Sequence, residues 1–174
     1  MLVILEGGSS FQSSETWVIM RHRSELWKNV FVVLRMTPQQ VKLVGDSFAK
    51  VLPIAGVTAD LFYDHLFEIA PEVRPLFPDD LVEQKKKFIA MLAMVITNLH
   101  DFGKIAPVVA DLGTRHVAYG IVAKHYEPFG TALLQALEDC LGVDFTPPVK
   151  AAWTKAYMSL AGVMKRAAAN LPPG

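Results

Sequence analysis

A chain of 174 residues, more than half of them apolar, can bury a core for one domain without disulfide or metal staples. Lysine plus arginine and aspartate plus glutamate number 17 each, so no net field draws it to nucleic acid or to an anionic membrane. The single cysteine, Cys140, excludes an internal disulfide. The opening MLVILEGG is too short in its apolar run for a signal-peptide core, and no stretch reaches the ~18 apolar residues of a membrane span. The expectation is therefore a soluble, cytoplasmic protein.

Residues 1–35 differ from the rest. GGSSFQSSE is polar and turn-like, and MRHRSELWKNVFVVLRM mixes short apolar pieces with charge. This segment reads as an N-terminal extension, poorly ordered or arising from an upstream start, with Met36 as the natural one. The main domain is expected over residues 36–170 and a short tail over 171–174. Thr37 can cap a helix, Pro38 suits its first position and Gln40 completes a capping box, which predicts a helix over 37–52. A second is predicted over 57–69, with Leu61, Phe62, Leu66 and Ile69 on one apolar stripe. Pro71 and Pro75 bracket a short helical turn ending near Phe77. A longer helix follows from about Asp80 to His100, its apolar face carried by Phe88, Leu92, Val95, Ile96 and Leu99. The next, over 104–116, is expected to be interrupted by Gly113 and to end at His116. Two long helices, 127–142 and 147–169, close the chain, the last opened by Thr146 as cap and Pro147 at its first position. No stretch alternates apolar and polar residues as an exposed strand would, so the fold class is all-α.

The five histidines differ in setting. His22 lies in the leader, His65 follows Tyr63 by two and so faces away from it, His100 ends its helix and His125 sits in a turn. His116, in ADLGTRHVAYGIVAKHYEPFG, stands alone among apolar helices. Such a histidine suits iron held from one side, although an isolated imidazole on an apolar face is more often a satisfied core residue. Gln84 and Phe88, four apart, share a helix face. Read from residues alone, Gln84 could equally be solvated beside Lys85, Lys86 and Lys87, and Phe77 could equally be one more core aromatic. Cys140 reads as a small apolar filler, since no second thiol is present to resolve an oxidised intermediate.

The segments LFYDHLFEIAPEVRPLF, QKKKFIAMLAMVITNLH, the His116 segment, TALLQALEDCLG and KAAWTKAYMSLAGVM resemble, in this order and spacing, the bacterial globins. The likeness is nearest to single-domain haemoglobins and to the globin half of flavohaemoglobins, and PEVRPLF with the later RH, YG and HY pairs is its most specific part. It spans roughly residues 36 to 168. The resemblance implies a globin fold, with helices packed at about 50° around a haem pocket. It places His116 as the proximal iron ligand, Phe77 as the haem-packing phenylalanine, and Tyr63 and Gln84 as distal donors of hydrogen bonds to bound dioxygen. Phe88 would wall the same cavity, Lys87 would reach a haem propionate, and Tyr126 would brace the proximal side. Flavohaemoglobins complete that brace with a glutamate, whose place is taken here by Ala168, and this speaks against strong peroxidase-like chemistry.

The implied cofactor is haem b, held without covalent attachment because no CxxCH motif occurs. The implied activity is reversible dioxygen binding, with nitric oxide dioxygenation allowed and carbon monoxide as a further ligand. Since the sequence stops at Gly174 with no GxGxxG loop, electrons for turnover are expected from an external reductase. A haem-based gas or redox sensor using the leader is the alternative. Because the domain has a complete helix start at Thr37, a chain beginning at Met36 is expected to match the full chain in melting temperature and haem retention. Thermal unfolding followed at the haem absorption band checks this, and a large loss in either would show that residues 1–35 support the domain.

Overall fold

The computed structural model describes residues 36–171, and the readings made above for residues 1–35 and for 172–174 lie outside them. Among the described residues there are six α-helices and no strand: α1 (Pro38–Val51), α2 (Ala55–Ile69), α3 (Val82–Thr97), α4 (Phe102–Ala118), α5 (Tyr126–Leu141) and α6 (Pro147–Ala169). Short 3-10 turns join them, the longest being Pro71–Leu76, the turn foreseen between the two prolines.

The start of α1 is built as its sequence dictates. Gln40 N donates to Thr37 Oγ1 at 3.1 Å and Thr37 N donates to Gln40 Oε1 at 2.9 Å, so two otherwise orphaned donors are satisfied. Thr146 stands at the cap position of α6 in extended conformation, but its hydroxyl makes no capping bond. Pro147 and Pro148 hold the first two helical positions and Pro148 has no N–H to offer, so the prolines rather than a hydrogen bond set this start.

Three expectations need correction. The buried stripe of α2 is Thr58, Ala59, Phe62, Tyr63 and Leu66, whereas Ile69 is exposed because α2 ends there. The third helix, expected to reach His100, ends at Thr97: the Asn98 side chain donates to the Met94 carbonyl at 2.8 Å, a 3-10 turn over Leu99–Asp101 follows, and the chain bends by 63° between α3 and α4. Finally, α4 runs unbroken through Gly113 and past His116.

Gly113 has a different purpose. A Cβ there would lie 2.5 Å from Met164 O and 2.6 Å from Met164 Cα, so the absent side chain lets the backbones of α4 and α6 touch. α4 against α6 and α2 against α5 are the broadest contacts of the fold. α1 crosses α6 at a buried polar point, where Trp153 Nε1 donates to Ser47 Oγ at 2.9 Å and Ser47 donates to Leu43 O at 2.7 Å. Val44, Val51, Leu66, Val73, Val109 and Leu137 are fully buried between these layers. Each such aliphatic side chain contributes about 1.5–3 kcal/mol. No single described helix is long and apolar enough to cross a membrane.

Gly113→Ala should destabilise the protein by about 1–3 kcal/mol, because the new methyl group meets backbone that cannot rotate away. Urea unfolding of the two proteins measures this, and an unchanged midpoint would show that the helices cross with room to spare.

Candidate functional site

The end of α4 is organised around His116. Its Nδ1 lies 2.8 Å from the carbonyl of Leu112, one turn back, and because a carbonyl only accepts, Nδ1 carries the proton. In the neutral ring the Nε2 lone pair is then free for a Lewis acid. Burial lowers the pKa of His116, the Leu112 bond opposes this, and the positive charge of Arg115 adds to the lowering. The ring is half-buried and uncharged at neutral pH.

The main chain here is fixed as firmly. Ile121 N donates to His116 O at 2.9 Å and Gly120 N donates to Val117 O at 2.9 Å, with Gly120 at φ 82°. This is the paired bonding of a Schellman motif, and it needs the left-handed conformation that glycine adopts without strain. A Cβ on Gly120 would also lie 3.2 Å from Leu76 Cδ2, so this turn abuts the segment that carries Phe77.

The second part of the site is a group of aromatic rings. Phe62 and Phe88 stack at 4.1 Å with an interplanar angle of 13°. Tyr63 meets Phe77 edge-on at 5.6 Å and Phe88 at 6.0 Å, while Phe67 lies 5.5 Å from Phe77. Phe129, from α5, adds a ring 6.2 Å from Phe77. Tyr63 is 2 % exposed. Burial pushes its pKa up to about 12, and a hydrogen bond from the Gln84 side chain offsets part of that rise. The phenol therefore keeps its proton at neutral pH and remains a donor. Gln84 is half-buried and its side chain bonds to Tyr63, so it lies on the side of α3 that faces the rings rather than wholly in solvent beside the lysines.

A family model described as Globin matches residues 60–164. The chain belongs to the globin family. Over 99 residues it is 37% identical to the flavohemoprotein of Bacillus subtilis (strain 168), a match covering 55% of this chain and 25% of that protein. The chain thus aligns with about a quarter of the length of that curated relative. Among solved structures, a bacterial globin from Campylobacter jejuni is 24% identical with a TM-score of 0.65, covering 76% of this chain and 96% of that one. An engineered carbene transferase on a Rhodothermus marinus protein assigned as a nitric oxide dioxygenase is 24% identical with a TM-score of 0.70, covering 78% and 94%. At such identities these structures establish the fold.

The structure brings Tyr63, Gln84, Phe77 and Phe88 together. His116 stands in the neighbouring turn and touches none of these rings, its nearest ring being Tyr119 at 6.3 Å. Lys87 is exposed beside Phe88; Lys85 is tied to Asp60 at 2.6 Å and Lys86 to Glu83 at 2.8 Å, while Lys87 has no acidic partner among the described residues. Tyr126 opens α5, its carbonyl accepting from the Tyr157 hydroxyl and its ring facing Lys165 Nζ at 5.8 Å. No hydrogen bond joins it to His116. His65 is paired with Asp139 at 2.7 Å, and His125 Nδ1 accepts from Val122 N at 3.2 Å, so each has another use.

Phe67 and Phe129 were not singled out from sequence. Phe67 follows Tyr63 by one helical turn and Phe129 follows Tyr126 by three, spacings that were available to find them. The described residues contain no group of three or more His, Cys, Asp or Glu side chains that could hold a metal by themselves. The globin family implies haem, and the residues present fit that group: one Nε2 without a hydrogen bond, flat apolar rings and two neutral donors. His116→Ala should lose most haem and regain it with added imidazole. Haem content by absorption is the measurement, and wild-type content in the variant would dismiss His116 as the ligand.

Proposed function

We propose that this chain holds haem b non-covalently through His116 Nε2 and binds dioxygen reversibly. The reading is supported above all by the pairing of a buried, neutral Tyr63 with the Gln84 side chain inside an apolar group of rings. Ferrous haem, when bound, supplies an iron that takes dioxygen, nitric oxide or carbon monoxide.

Everything else is the work of the chain. The Leu112 carbonyl keeps the His116 proton on Nδ1, and this orients the ring and leaves Nε2 as the donor to the metal. The Tyr63 O–H and the Gln84 amide donate to the partial negative charge of a polar diatomic ligand. Because both are buried among aromatic side chains, water competes weakly and each bond counts for more than it would in solvent. Phe77 and Phe88 supply flat apolar wall that excludes water. Lys87 is the cation for a propionate at the pocket mouth, and Tyr126 sits at the start of the helix that backs the proximal side.

Nitric oxide dioxygenation is a second reading, favoured by what the similar proteins are called: a flavohemoprotein, and a protein assigned as a nitric oxide dioxygenase. The same distal pair would hold oxygen for that reaction, with electrons from a separate cytoplasmic reductase. Ala168, in the last turn of α6, offers no carboxylate to the proximal side. This favours holding oxygen over cleaving it.

A buried hydrogen bond contributes about 0.5–1.5 kcal/mol net, and more to a partner bearing charge. Since about 1.4 kcal/mol is a factor of ten, Tyr63→Phe should speed oxygen dissociation by about one order of magnitude or more. Gln84→Leu should act in the same direction, less strongly if Tyr63 makes the main bond. Carbon monoxide, a weaker acceptor, should respond much less to both. Stopped-flow displacement measures the four rates, and unchanged oxygen off-rates in both variants would remove Tyr63 and Gln84 from the ligand side.

A further inference from the structure

One residue of the PEVRPLF motif has no part in the reading above. Arg74 lies in the 3-10 turn Pro71–Leu76, immediately before Pro75, which denies the turn a backbone donor at that point. The Arg74 guanidinium reaches forward along the chain. Its Nη1 donates to Phe77 O and to Pro78 O, each at 3.1 Å, and its Nη2 donates to Asp79 O at 3.3 Å. Its own carbonyl accepts from Phe77 N at 3.1 Å. Both backbone polar groups of Phe77 are therefore held by the same residue. The guanidinium plane also lies over the Phe67 ring, with Cζ 5.0 Å from the centroid, and Phe67 in turn packs on Phe77 at 5.5 Å.

We propose that Arg74 is the positioning residue that sets Phe77 against the haem, and that haem retention depends on it through this clamp. The inference rests on the haem reading given above. Residues 77–80 join the Pro71–Leu76 turn to the cap residue of α3, and their carbonyls need donors from outside a helix. A guanidinium can serve three of them at once from one plane and still stack on a ring. A lysine ammonium has the charge and much of the reach but neither the fork nor the flat face. The Arg74–Asp79 ion pair, at 3.8 Å to a fully exposed carboxylate, adds little.

The test is the rate of haem loss from the full ferric protein to an excess of a haem-scavenging apoglobin, for wild type, Arg74→Gln, Arg74→Lys and Val73→Ala. Val73 is fully buried in the same turn and has no polar side-chain atom with which to hold the backbone of residues 77–79, so its truncation reports what simple loss of stability does. Unfolding of each apoprotein is followed alongside by circular dichroism. Arg74→Gln is expected to release haem about tenfold faster or more, and Arg74→Lys nearly as fast, whereas Val73→Ala changes the rate less than about threefold at an equal or greater loss of melting temperature. A wild-type rate in Arg74→Gln would overturn the proposal, as would wild-type behaviour of Arg74→Lys or an equal acceleration by Val73→Ala. A wild-type chain that takes up no haem would instead overturn the haem reading, so the two failures are distinct.

Discussion

The backbone contact between Gly113 and Met164 governs the rest of the structure. It fixes how deeply α4 lies against α6, and His116 is three residues further along the same helix. The bond of Nδ1 to Leu112 and the Schellman turn are local to α4, whereas the meeting of Gly120 with Leu76 depends on where that helix is seated. Helix geometry alone gives a histidine a direction. Close crossing adds a distance, and the ligand role proposed for His116 needs both.

Opposite demands meet in the aromatic group. Tyr63 and Gln84 are polar and would each be costly to bury alone. Set beside one another they satisfy part of that demand, and the surrounding rings make whatever they donate to more strongly held. The raised pKa of Tyr63 has the same origin, since the environment that strengthens its hydrogen bond also disfavours its anion. A donor that stays neutral is the result of burial, and the Tyr63 ring lies among those of Phe62, Phe67, Phe77 and Phe88.

Much of the fold was legible because helices announce themselves by period and by their ends. Thr37, Pro38 and Gln40 predicted a start that the structure builds bond for bond, and α5 and α6 fall within one residue of their expected limits. The errors have a common cause. Gly113 was read for its local helix propensity, whereas tertiary contact gives it its role; propensity is a weak prior where backbones touch. The end of α4 was set at His116 although Gly120, the true stop signal, stood four residues later. In the site, Gln84 could not be separated from the neighbouring lysines by spacing alone, because a helix face has an inside only once another helix covers it. Arg74 gave no signal either, since its partners are backbone carbonyls, which every residue possesses.

α3 is anchored differently from its neighbours. Of its sixteen residues only Val95 is buried, against eight in α6, and an ion pair between Lys85 and Asp60 fastens its first half to α2. An element with so little apolar anchorage opens locally at low free energy, long before the whole domain unfolds. Its amide protons should exchange well ahead of those of α5 and α6. The helix that carries Gln84 and Phe88 is thus the least firmly anchored wall of the aromatic group, whereas α4, which carries His116, buries Ile105, Ala106, Val109 and Gly113.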